Sequence, residues 1–137
     1  MTALLICLLG GLGAMARFAV DGTVRQRWGT SFPAGTVVVN VSGSFLAGLL
    51  SGAALAGVLG GPAASVAVIG FCGGYTTFST AMVEALTARR EGKRAKFLML
   101  WLVQVIGAVL AALAGTLCFV LLLGDDVAPI IPIDIFF

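Results

Sequence analysis

Residues 70–86, GFCGGYTTFSTAMVEAL, interrupt a stretch with no charge from Trp28 to Val83. Their centre, residues 73–80, holds two glycines, a tyrosine and four aliphatic hydroxyls: Thr76, Thr77, Ser79 and Thr80. Hydrocarbon penalises such groups unless they find partners. Two adjacent glycines weaken a helix, and the hydroxyls beside them offer replacement partners for freed backbone groups. Irregular backbone at membrane depth is tolerated only where it is buried in protein or lines a water-filled cavity. The segment therefore reads as a helix broken in mid-span. Freed carbonyls there are hard oxygen ligands suited to a small cation. A kinked span whose Ser and Thr satisfy their own backbone is the plainer alternative. A phosphate-binding loop needs a lysine after the glycines, and none follows.

The surroundings read as membrane. Of 137 residues, 60 % are hydrophobic and 10 % charged, and the mean hydropathy is +1.12. A soluble domain carries about a quarter charged residues. One domain, 1–137, is expected, with apolar spans at about 2–20, 32–56, 63–86 and 97–123. Each is near the roughly 20 residues that cross a bilayer as a helix. Strands of a membrane barrel would alternate in polarity, and these runs do not. The expected class is an all-α membrane protein with four transmembrane helices, the third broken.

Ala14-Met15-Ala16 resembles a signal-peptide cleavage site. No positive charge precedes the apolar run and glycines interrupt it, so a retained helix is expected. Cys7, Cys72 and Cys118 are far apart, each in an apolar run, and read as small hydrophobes. The chain has no histidine, the commonest general base and metal ligand, and no nucleophile–base pair; an enzyme is not expected. The tail DDVAPIIPIDIFF, with two prolines, is not expected to be helical throughout.

Charge sets the topology. All eight Lys and Arg residues follow the first and third spans or lie at their edges: Arg17, Arg25, Arg27, Arg89, Arg90, Lys93, Arg94 and Lys96. With four spans, both links share one side. The positive-inside rule places them in the cytoplasm and both termini outside, giving a multi-pass protein of the plasma (inner) membrane.

Two further motifs carry polar or small residues into the spans. In GGLGAMAR, residues 10–17, Gly10 and Ala14 are four apart and allow close helix approach, as does Gly13. Arg17 at the cytoplasmic edge reads as a snorkelling anchor or as part of an ion entry. In VVVNVSGSF, residues 37–45, Asn40 lies well inside the second span. It needs another helix or water there, so it is either interhelical glue or a pore-facing donor. Ser44 and Gly48 lie one and two turns on, on the same face as Asn40; Gly43 is adjacent. Phe78 has a positive ring edge that suits a small anion, although a single phenylalanine is usually packing.

Together these motifs resemble the Fluc (CrcB) family of small fluoride channels. The matching residues are Gly10, Gly11, Gly13, Ala14 and Arg17, then residues 39–45, then Gly70 through Thr80 with Glu84. The four-span layout matches as well. The resemblance implies an antiparallel dimer of four-helix subunits that exports cytoplasmic fluoride passively, reducing its toxicity. It also implies a structural, untransported Na+ held by the backbone carbonyls of Gly73 and Thr76. Asn40 matches the pore asparagine, Phe78 the first ring of a ring-edge box, and Ser79 and Thr80 the hydroxyls beside the pore.

The match departs in two places. The family pattern places a second phenylalanine where this chain has Ala81. Its fourth span has Gln104 and Thr116 as interior polar groups, where the family commonly has a hydroxyl track. An antiparallel homodimer needs one sequence that inserts both ways, and this charge split opposes that. A fixed-orientation subunit paired with a homologous chain of opposite bias is the resulting expectation. The rival readings are a small dual-topology multidrug or cation exporter, which needs a carboxylate that the first span lacks, and a non-transporting membrane scaffold, which leaves the glycine break unexplained.

Overall fold

The computed structural model describes residues 1–29, 32–60 and 62–122. The expectation for the tail after residue 124 lies outside the described residues. Four helical stretches are long and apolar enough to cross a membrane: Thr2–Trp28, Ala34–Leu55, Ala63–Arg90 and Arg94–Leu122. The first two are α1 and α2. The third stretch is composite: α3 (Pro62–Ser65), a π-helical segment (Val66–Cys72), α4 (Gly73–Tyr75) and α5 (Phe78–Arg90). The last is α6 (Arg94–Leu122).

The helices outrun the apolar spans at their basic ends. α1 continues to Trp28, α5 to Arg90, and α6 starts at Arg94. Arg, Gln and Glu are good helix formers, so loss of hydropathy does not end the helix. Arg25 and Arg27 in the last turn of α1, and Arg89 and Arg90 in that of α5, also face the negative end of the helix dipole. Glycine stops both helices. Gly29 and Gly92 each have φ 77°, where a Cβ would be strained.

Close backbone approach organises the bundle. The π-helical segment and α4 lie on α1, α5 lies on α6, and α2 packs most extensively on α6. A Cβ at Gly74 would strike the backbone of Gly10, and one at Gly13 the Phe71 carbonyl. Gly48 of α2 meets the Ala112 backbone of α6 in the same way, and Gly115 meets the Phe45 carbonyl. Lipid offers little hydrophobic drive between helices, so such small-residue contacts carry the packing. Large apolar side chains turn outward instead, among them Leu4, Leu8, Leu110, Leu113 and Leu117. Near the basic end, Ala85, Ala88 and Leu100 form a small core with Phe32 and Phe97 against it.

Candidate functional site

Between α4 and α5 the chain leaves the helix for two residues. Thr76 (φ −79°, ψ 159°) and Thr77 (φ −148°, ψ 116°) are extended. The backbone groups freed there are met by side chains. Thr77 Oγ1 accepts from the Thr80 N–H at 3.3 Å and caps α5. It also donates to Thr80 Oγ1 at 3.0 Å. The Thr76 N–H and Oγ1 both donate to the Cys72 carbonyl, each at 2.9 Å.

Asn40 of α2 takes the rest of Thr77. Its Oδ1 accepts from the Thr77 N–H at 2.7 Å, and its Nδ2 donates to the Thr77 carbonyl at 2.8 Å. The side-chain amide thus pairs with the backbone as a neighbouring peptide would. Its second Nδ2 hydrogen goes to Gln104 Oε1 on α6 at 2.9 Å. Three helices are tied at one residue, and Asn40 is buried.

This network changes the state of two carbonyls. In a continuous helix the N–H groups of Thr77 and Thr80 would meet the carbonyls of Gly73 and Thr76. Here they donate to Asn40 and to the Thr77 side chain instead. Two neutral hard oxygens deprived of their helical donors fit a small alkali cation. Among the described residues there is no cluster of three or more His, Cys, Asp or Glu side chains to hold a metal.

Two cavities adjoin the break, and Thr77 lines both. One, of about 310 Å³, is lined by Asn40, Ser44, Phe78, Ala81, Gln104 and Ala108, among others. Phe78 is 71 % exposed, so the rest of this chain does not pin its ring. The other, of about 120 Å³, is lined by Arg17, Asp21, Thr36, Thr77 and Thr80. The sequence-selected residues therefore divide. Asn40, Ser44 and Phe78 share the first cavity, while Arg17 and Thr80 share the second. Ser79 is exposed, its Oγ 3.4 Å from Thr77 Oγ1. Gly10 and Gly13 lie in the α1 packing contact. Gly43 lies beneath Tyr75 and Thr76, whose side chains a Cβ would strike. Ala81 is buried yet lines the first cavity, so a larger side chain there would enter that space.

Toward the basic end, Glu84 of α5 accepts from Arg25 Nη2 at 3.0 Å and from Thr36 Oγ1 at 2.9 Å. Arg25 Nε also pairs with Asp21 at 2.8 Å. Glu84 Oε2 is buried with no hydrogen-bond partner among the described residues. The sequence reading missed this α1–α2–α5 tie, and it missed Gln104 as a member of the break. The spacing of Asp21 and Arg25 on one helix was one available signal. Gln104 as the lone interior amide of the fourth span was another.

Residues 4–116 match the family model described as CrcB-like protein, Camphor Resistance (CrcB). The chain is 43 % identical over 116 residues to the fluoride-specific ion channel FluC 2 of Cutibacterium acnes, covering 84 % of this chain and 94 % of that one. It is 40 % identical over 112 residues to the fluoride-specific ion channel FluC of Citrifermentans bemidjiense, covering 81 % and 87 %. It is 45 % identical over 93 residues to the fluoride-specific ion channel FluC of Solibacter usitatus, covering 67 % and 76 %.

Proposed function

This chain belongs to the CrcB family, and we propose that it is a subunit of a fluoride-selective channel that lets cytoplasmic fluoride leave the cell passively. The observation that carries the reading is the polar break at Thr76–Thr77, held by Asn40 and flanked by two cavities inside an apolar bundle. A scaffold has no use for such a break. A cation exporter would need an uncommitted carboxylate on the first span; the cavity beside Phe78 has no carboxylate in its lining, and Asp21 of α1, which lines the other cavity, is paired with Arg25.

Fluoride is small and holds its water tightly, so a selective path must replace hydration with fixed donors. On this reading the path runs past Arg17 and Thr80 on one side of Thr77, and past Asn40 and Phe78 on the other. Thr80 Oγ1 accepts from Thr77, which leaves its own hydrogen free to donate. Ser79 adds an exposed hydroxyl. The exposed ring of Phe78 offers its positive edge. On this reading the third helix is broken at mid-membrane depth in a dimer of antiparallel subunits, and the Gly73 and Thr76 carbonyls would hold a structural Na+, which would supply fixed positive potential without being transported.

The charge distribution favours a fixed orientation in the inner membrane, with the basic ends cytoplasmic. Arg25 of α1 touches Glu84 of α5, and Arg89 lies 5.3 Å over the Phe97 ring of α6, so cations from both links gather at one end. The partner is then a homologous chain of opposite bias, which supplies the ring that Ala81 lacks. Fluoride efflux from liposomes, with this chain alone and with such a partner, tests the reading. Efflux in neither case would end it, and robust efflux from this chain alone would end the mixed pair. Accessibility tags on both termini test the orientation, which labelling from both sides would overturn.

A further inference from the structure

The clamp on Thr77 dictates which way a second amide faces. Thr77 presents a peptide N–H and a peptide carbonyl, whose chemistry is unambiguous. Asn40 answers the N–H with Oδ1 and the carbonyl with Nδ2, so the backbone fixes its amide orientation. The remaining Nδ2 hydrogen points at Gln104, 2.9 Å away, and only an acceptor can meet it. Gln104 therefore shows Oε1 to Asn40 and turns Nε2 away. Among the described residues Nε2 has no acceptor, although Gln104 is only 6 % exposed. The residue lines the cavity of about 310 Å³ beside Phe78, Ala81 and Ala108, and no carboxylate faces it there.

Nε2 is not sealed from this cavity, so its two donors, with no acceptor among the described residues, open onto it. Its setting, apolar walls and an aromatic ring without negative charge, suits a small acceptor carrying negative charge. We infer that Gln104 Nε2 is an N–H donor to a small anion in this cavity, fluoride on the reading above, on which this inference rests. Asn40 is then a positioning residue, because both its own hydrogens are committed. It aims Gln104 and does not itself hold the ion.

The full chain in lipid nanodiscs, alone and with an opposite-orientation homologue, provides the test. Gln26 and Gln104 are the only glutamines, so 15N-labelled glutamine gives two side-chain amide pairs. The Gln26 pair, on an exposed residue, is an internal control. Added fluoride should move the Gln104 pair saturably and leave Gln26 in place, and chloride should move neither. In liposomes, Gln104→Met should cut fluoride flux about ten- to a hundredfold, the cost of one hydrogen bond to a charged group. Gln104→Glu keeps an acceptor for Asn40 but removes the donor, and should lose at least as much. A Gln104 pair unmoved by fluoride, as for an amide that only holds water, would overturn the inference even if the variants failed to fold. Flux in the wild type with full flux in Gln104→Met would overturn it too. Absence of flux in every wild-type preparation would instead overturn the channel reading.

Discussion

Replacing Asn40 by aspartate changes one heavy atom, and that atom sits where three polar groups meet. Nδ2 donates to the Thr77 carbonyl at 2.8 Å and to Gln104 Oε1 at 2.9 Å. Aspartate keeps the bond from the Thr77 N–H, since Oδ1 still accepts. It turns the other two contacts into facing acceptors. Gln104 can rotate its amide and donate to the new carboxylate, which repairs one. The Thr77 carbonyl cannot, and one stranded buried acceptor costs about 1–3 kcal/mol. Desolvation of the carboxylate adds to that cost, so we expect a loss of at least about 2 kcal/mol in stability. On the reading of this cavity as a fluoride path, the new charge also repels the ion, and flux falls by at least about tenfold, equivalent to 1.4 kcal/mol. The assays are thermal unfolding followed by size-exclusion chromatography, and fluoride-electrode efflux from liposomes. Wild-type stability and flux at neutral pH would refute the clamp.

Four other outcomes follow from the geometry. Gly74→Val should separate α1 from the broken span at a cost of about 1–3 kcal/mol, read as a lowered unfolding midpoint; an unchanged midpoint would show that the Gly10 contact is loose. Ala81→Phe places a ring in the cavity of about 310 Å³ and should raise fluoride flux from the mixed pair, whereas no gain would separate the missing ring from conduction. Arg25→Ala leaves the Glu84 carboxylate without its cation and should destabilise more than Glu84→Gln, by about 1 kcal/mol or more; the reverse order in melting experiments would argue that the pair is unimportant. On the proposal of a dimer with Na+ at the Gly73 and Thr76 carbonyls, exchange of sodium for a bulky organic cation should lower the melting point by removing a ligand of the folded state, and an unchanged value would remove the ion from those carbonyls.

Hydropathy located the four apolar runs because lipid selects on side-chain composition over a whole helix. It could not locate the helix ends, since Arg25, Arg27, Arg89 and Arg90 are polar yet good helix residues. The site was legible in part. Glycines and hydroxyls at 73–80 pointed to freed backbone, and Asn40 stood out as a costly amide in an apolar span. What those groups bond to was not legible. Asn40 and Gln104 are 64 residues apart, and Arg25 and Glu84 are 59 apart. No local period encodes such pairings; they arise only when glycine contacts bring the helices together. The π-helical run Val66–Cys72 was equally hidden. Its residues, VAVIGFC, read as ordinary buried helix.

The two halves of the composite span belong to different bodies. The part before the break is seated on α1 by contacts at Gly70, Gly74 and Gly13. The part after it rests on α6. Only Thr76 and Thr77 connect them along the chain, and Asn40 reaches over from α2 to hold that connection. The break is therefore a joint between two rigid blocks, pinned by one asparagine. A strain that shifts one block against the other is concentrated at that pin. The Gly73 and Thr76 carbonyls and the Gln104 amide sit beside it, and they would register the shift first.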